Sequence, residues 1–280
     1  MSFKDILALA ITLEADKPAL RATGVLAAKF EAHASALILG VHAASVFAPQ
    51  VAKLSEVLED LAAGARGAAG REHAKIVEWL SHAHRGFETR KIIIEDALFR
   101  KEVLAHARRT DLTVLTRSRP DGEDRAHAEL LDAVLFGSGR PTLLVPTGWG
   151  GDRLGECIVI GWNATREAAR AVGDAMPLLR QARDVVIATI DAIPGDGGHG
   201  PAPGKDLAAH LARHDVKVRV NNVDGMGRSE GRALTDVCLA VGADLVVMGA
   251  YSHSRAEEWL LGGVTRELTS ASTFPLFMSH

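Results

Sequence analysis

The sequence predicts an α/β protein of two tandem, doubly wound domains, each with a five-stranded parallel sheet. Short apolar, β-branched runs alternate with segments of helical period along the whole chain, and the order β-α-β-α-β-α-β-α-β occurs twice. The length of 280 residues suits two domains of about 140 residues each.

In chain order, KDILALAI (4–11) is the first buried strand and Asp16 to His33 the first helix. ALILGVHAA (36–44) is the second strand, followed by a long helical stretch from Gln50 to about Leu80. FETRKIII (87–94) alternates as a strand with one wet face, and Asp96 to Arg109 is helical. DLTVLT (111–116) and PTLLVP (141–146) are the fourth and fifth strands, and GSG (137–139) before the fifth reads as a helix stop.

A Gly-rich polar linker, GWGGDRLGE (148–156), opens the second half, with domains expected over 1–148 and 153–280. CIVIGWN (157–163) is its first strand. From Thr165 to Ala182, Ala168, Ala169, Val172, Ala175, Met176 and Leu179 recur at helical spacing. DVVIATIDA (184–192) is a strand, IPGDGGHGPAPG (193–204) a loop, and KDLAAHLARH (205–214) a helix. VKVRVNNV (216–223) alternates as a strand, and residues 228–242 form a helix closed by Gly242. DLVVMGA (244–250), a loop, a helix through about 272 and PLFMS (275–279) complete the order. The halves match in wording: TDLTVLTRS (110–118) sits against ADLVVMGAYS (243–252), and SGRPTLLVP against SASTFPLFMSH. A duplication accounts for both, with the extra length of the first half in its second helix.

Composition removes several function classes. Lys and Arg number 32 against 35 Asp and Glu, a net charge of −3, so nothing favours nucleic-acid binding through bulk charge. Cys157 and Cys238 lie in apolar runs and read as reduced core thiols suited to a reducing cytosol. With no signal-peptide pattern and no apolar run of about 18 residues, a cytoplasmic protein without a membrane span is expected. His82-Ala83-His84 reads as a solvated helix end rather than a metal site. Arg117 and Arg119 beside Asp121, Glu123 and Asp124 read as a charge-balanced exposed loop, and Asp111 and Asp244 as caps of the turns before their strands.

In a doubly wound sheet, ligands bind beyond the carboxyl ends of the strands where strand order reverses. That criterion selects WNATRE (162–167) and GAYSHSRAEEWLLGGVTREL (249–268). Gly249 lets the chain turn sharply off its strand, while Ser252, His253 and Ser254 supply short polar groups. Gly262 and Gly263 precede Val264 and Thr265 at a helix start, where backbone N–H groups and the helix dipole favour an anion such as a polyphosphate. Thr265 adds a hydroxyl. The alternative is that these glycines supply turn geometry alone.

The arrangement resembles the universal stress protein family, whose nucleotide-binding members carry G-x2-G-x9-G-[ST] between the fourth strand and the fourth helix. Here Gly249-x2-Ser252-x9-Gly262-Gly263 keeps the spacing, with Ser252 at the second glycine and Gly263 at the hydroxyl position. The resemblance implies an adenine nucleotide alpha hydrolase-like fold and an internal pseudo-dimer paired through the fifth strands. It further implies a stress-response role and a ligand that is ATP or another adenine nucleotide, with Mg left open. Asn163 stands at the family's strand-one Asp, facing the adenosine; Ile190 flanks the adenine. Gly249, Ser252, His253, Gly262, Gly263, Val264 and Thr265 surround the ribose and phosphates. In the first half Ile11 and Thr116 replace the Asp and the turn glycine, so that half is expected to be a packing partner with a degenerate site. No catalytic triad and no phosphate lysine can be assembled, so binding without fast turnover is expected, at most a slow ATPase. Further dimerisation of the chain is an open expectation, as is the alternative of a ligand-free interaction module with both sites decayed.

Overall fold

The apolar runs become strands of a single sheet. In the computed structural model, which describes residues 2–42, 52–84, 86–95, 99–117, 125–195, 199–250 and 263–280, the first half contributes β1 (Asp5–Ala10), β2 (His33–His42), β3 (Phe87–Glu95), β4 (Leu112–Thr116) and β5 (Thr142–Val145). The second contributes β6 (Cys157–Gly161), β7 (Asp184–Ile190), β8 (Val218–Val223), β9 (Leu245–Gly249) and β10 (Leu276–Ser279). Their order is β3-β2-β1-β4-β5-β10-β9-β6-β7-β8, so each half has the same doubly wound order. Every pairing within a half is parallel. The halves meet through β5 and β10, which pair antiparallel with Leu276 opposite Leu144 and Phe277 opposite Leu143. This is the internal pseudo-dimer that the fifth strands were expected to make.

Helices cover both faces, as parallel strands buried on two sides require. They are α1 (Leu13–Phe30), α2 (Ala52–Ala83), α3 (Phe99–Ala107), α4 (Arg125–Gly137), α5 (Arg166–Asp174), α6 (Met176–Leu179), α7 (Lys205–Ala212), α8 (Glu230–Val241) and α9 (Gly263–Ala271). Successive strand residues face opposite layers. Leu143, Val145 and Phe277 join one core with Phe3, Leu26, Phe30, Leu154, Ile158 and Val247. Leu144, Leu276 and Met278 join the other with Leu7, Leu9, Val134, Val159 and Leu234. Both cores run across the junction between the halves.

Several boundaries differ from the sequence reading, each for a local reason. α1 starts at Leu13 rather than Asp16, because Thr12 caps it by accepting a hydrogen bond from Ala15 N at 3.2 Å. The single helix expected over 165–182 is two, α5 and α6, joined at Ala175. Pro177 sits in the first turn of α6, where its missing N–H does no harm but where it cannot continue α5. Gly242 ends α8 as expected, at φ 64° with its N–H bonded to the last turn.

Asp111 and Asp244 do not cap the turns before them. The Asp111 carboxylate accepts from the backbone N–H groups of Lys4 (2.7 Å) and Asp5 (3.1 Å). Asp244 does the same for Glu156 (2.9 Å) and Cys157 (3.1 Å). Each aspartate precedes the strand beside the first strand of its half, so its carboxylate reaches the neighbour's otherwise unpaired amino end. The same device occurs in both halves, which agrees with duplication.

Candidate functional site

The second half opens a cavity of about 470 Å³ beyond the carboxyl ends of β6, β7 and β9. Asn163, Ile190, Gly249, Gly263, Val264 and Thr265 all line it, drawn together from separate strands and helix starts. Ser252, His253 and Gly262 lie outside the described residues. Ala188, Leu234 and Met248 supply an apolar floor, and Trp162, Ile193 and His199 further wall.

Asn163 follows β6, where the chain leaves the sheet through Ala164 at φ 57°. Thr165 Oγ1 donates to Asn163 Oδ1 at 2.8 Å and accepts from Ala168 N at 3.3 Å, capping α5. The Asn163 carbonyl oxygen therefore serves the cap, and the amide hydrogens are what it offers a ligand. Those suit an acceptor such as a ring nitrogen, and not a group that must be received by a carboxylate.

Gly249 has a different reason from the sharp turn expected of it. Its φ is not in the left-handed region. A Cβ there would stand 2.5 Å from Ala168 N and 2.6 Å from the Glu167 carbonyl carbon, so glycine is needed for the first turn of α5 to lie against the end of β9. Gly263, by contrast, has none of the described residues within 4 Å of the position a Cβ would take. It begins α9 and lines the cavity at the end of the helix where the first backbone N–H groups have no partner within the helix. Thr265 is buried at 5% exposure in the cavity wall, and Val264 packs partly onto the core.

The structure adds acidic groups that the sequence reading did not single out. Glu167, in the first turn of α5, is 3% exposed and lines the cavity. Burial pushes its carboxyl upward, but hydrogen bonding to Arg166 Nε and to its own backbone N–H, with the Arg166 charge, outweighs burial and holds it below the usual carboxylate range. Asp191, at φ 50° just past β7, accepts from Gly225 N at 2.7 Å. Glu230 begins α8. The signal that could have found these residues is positional: each follows a strand at the sheet's carboxyl edge or opens a helix that starts there.

Three helix N-termini thus converge on the cavity, those of α5, α8 and α9. Their dipoles favour anions, yet α5 and α8 already carry Glu167 and Glu230 in their first turns, whereas α9 has no acidic residue in its own. Among the described residues, no Lys or Arg lines the cavity, and no cluster of three His, Cys, Asp or Glu side chains is placed to hold a metal ion. Of the three helix starts, that of α9 is the one whose own first turn sets no acidic side chain against an anion.

In the first half the corresponding strand ends hold polar groups that satisfy one another. Asp16, fully buried, accepts from the N–H groups of Ile11 (2.7 Å) and Thr12 (3.1 Å) and pairs with His127 Nε2 at 2.7 Å. Thr116, at the Gly249 position, accepts from Ala19 N at 3.2 Å. Arg117 is not part of an exposed loop as expected. It reaches across to the second half and donates to the Ser272 carbonyl just past α9, while burial lowers its pKa. Arg119, Asp121, Glu123 and Asp124 lie outside the described residues. His84 is not a solvated helix end either: it packs over Gly24 and edge-on to Trp79, with ring centroids 5.7 Å apart.

Both halves are doubly wound, and the cavity of the second lies at its strand-order reversal, the edge at which such sheets bind ligands. No family model and no curated protein matches the chain. Solved structures do. A universal stress protein from Archaeoglobus fulgidus DSM 4304 superposes at a TM-score of 0.69 and 12% identity, over 98% of this chain and 95% of that one. A putative universal stress protein from Pseudomonas aeruginosa UCBPP-PA14 gives 0.60 and 12% identity, over 99% and 93%. A functionally unknown protein from Pseudomonas aeruginosa PAO1 gives 0.57 and 12% identity, over 99% and 92%. The chain has the fold of the universal stress proteins, in a form whose two halves fill the length of those structures. No helix among the described residues is long and apolar enough to cross a membrane.

Proposed function

We propose that the chain is a tandem, cytoplasmic universal stress protein that holds ATP or another adenine nucleotide in its second half without fast turnover. Residues 153–280 form the binding domain, and residues 1–148 pack against it with a degenerate site. The observation that carries this reading is the cavity at the strand-order reversal, which unites Asn163, Ile190, Gly249, Gly263, Val264 and Thr265 beside the N-terminus of α9. The base lies over the apolar floor of Ala188 and Leu234, within reach of the Asn163 amide, and a phosphate sits at the α9 amides.

Calorimetry with AMP, ADP and ATP should give saturable heat at micromolar concentrations, and silence with all of them would sink the reading. Gly263→Val is the informative variant. Its Cβ meets none of the described residues within 4 Å, so the protein should keep its circular dichroism and melting temperature while losing binding.

A second reading, a ligand-free interaction module, draws support from Asn163, whose carbonyl oxygen is engaged by the Thr165 cap. Under it, Gly263→Val leaves the cellular phenotype unchanged, and further homodimerisation carries the signal.

A further inference from the structure

We infer that His199 reads the exocyclic amine of the base and makes the cavity selective for an aminopurine. This rests on the adenine-nucleotide reading above and gives a role to a wall residue which that reading leaves unused. His199 lies between β7 and α7, where Gly195 N donates to the Gly200 carbonyl at 2.6 Å and both glycines stand at positive φ, 83° and 65°. That bond ties the two ends of this stretch together, and His199 stands on the cavity wall with Asp191, Ala192 and Ile193.

Two needs are unmet on this wall. The Nδ1 atom of His199 is buried and has no hydrogen-bond partner among the described residues, a state that costs free energy until a partner arrives. Ile193 is 63% exposed, one of four large apolar side chains among the described residues left in solvent. A planar base meets both needs: its face covers Ile193, and its polar edge reaches His199. The neighbours decide the polarity of that edge. With the imidazole neutral and its proton on Nε2, Nδ1 is an acceptor, and the Asp191 and Glu230 carboxylates on the same wall accept as well. An amine brings two hydrogens to these acceptors, whereas an oxo group sets lone pairs against lone pairs. The Asn163 amide hydrogens, whose carbonyl oxygen is held by the Thr165 cap, remain for a ring nitrogen.

The test is calorimetry on the full chain with AMP, with purine riboside 5′-monophosphate, which has hydrogen in place of the amine, and with IMP, which has an oxo group there. AMP should bind about tenfold more tightly than either analogue. In His199→Leu the preference for AMP over purine riboside monophosphate should shrink to about twofold or less. His199→Asn, whose amide sets a polar atom near the Nδ1 position, should keep most of it. Because each ratio compares two ligands on one protein, a general loss of stability cannot produce the change. Equal affinity of the parent for AMP and either analogue, or an unchanged ratio in His199→Leu, overturns the role of His199 while leaving nucleotide binding intact. Silence with every nucleotide overturns the nucleotide reading itself, and the selectivity with it.

Discussion

Two glycines at one cavity show how much a single Cβ can mean. Gly249→Ala would drive its Cβ into the backbone of α5, and since neither element can step aside, a loss of about 1–3 kcal/mol is expected in urea unfolding. Gly263→Ala meets none of the described residues within 4 Å and should leave the urea midpoint unchanged or slightly raised. His84 makes a pH-dependent contribution. Burial, helped by the Arg21 charge, holds its imidazole below the ordinary value. As pH falls through the unfolded value of about 6.5, the unfolded chain takes up a proton that the native state resists, so native stability declines toward the lower folded pKa and rises with pH across that window. Urea midpoints at pH 5.5 and 7.5 should differ less in His84→Gln than in the parent; an equal difference would remove His84 from the account. Cys238, whose thiol burial pushes up to about 12, should resist alkylation in the native state at pH 8 and react only on unfolding.

Among elements, α5 joins structure to site most directly. Thr165 caps it, holds Asn163, and starts the turn that lies on Gly249. Thr165→Ala should cost about 1 kcal/mol of stability and, by releasing the Asn163 side chain, weaken nucleotide binding beyond that loss. A variant that lost stability but bound unchanged would leave Asn163 no part in the site. The break between α5 and α6 was legible in Pro177, which the helical spacing of the surrounding apolar residues concealed. α9 is tied to its neighbour: Ser229 donates to Glu267 at 2.8 Å, and a Cβ at Gly231 would meet the Glu267 carboxylate at 2.4 Å. The starts of α8 and α9 are thereby held in register around the cavity.

For the whole molecule, the decisive feature is a sheet that continues from one half into the other. β5 and β10 pair at its centre, and Phe3 packs edge-on to Phe30 at 5.2 Å while facing Phe277 of the other half at 6.4 Å. Lys29 Nζ donates to the Leu154 and Gly155 carbonyls at 3.1 Å, and Arg170 donates to the Gly139 carbonyl at 2.9 Å, bracing the same junction. Residues 1–148 or 153–280 expressed alone would expose an unpaired apolar strand. Each should self-associate in sedimentation velocity, and the two mixed should form a heterodimer; monomeric, soluble halves would contradict the shared core. Arg117, cationic at the carboxyl end of α9, links the first half to the helix whose other end faces the cavity.

The sequence by itself determined what local periodicity and covalent order control: ten strands, their alternation with helices, the duplication, and the edge of the sheet where a ligand site belongs. That Asn163, Gly249 and Thr265 lie at that edge was readable because a strand end or helix start is a local event. Only the tertiary structure decided which distant groups share a wall. The approach of α5 to Gly249, the meeting of Glu167, Asp191 and Glu230, and the pairing of Asp16 with His127 all join segments far apart in the chain. Such contacts are set by how helices seat on a twisted sheet, to within the width of one carbon atom, and no periodicity along a single segment encodes that distance.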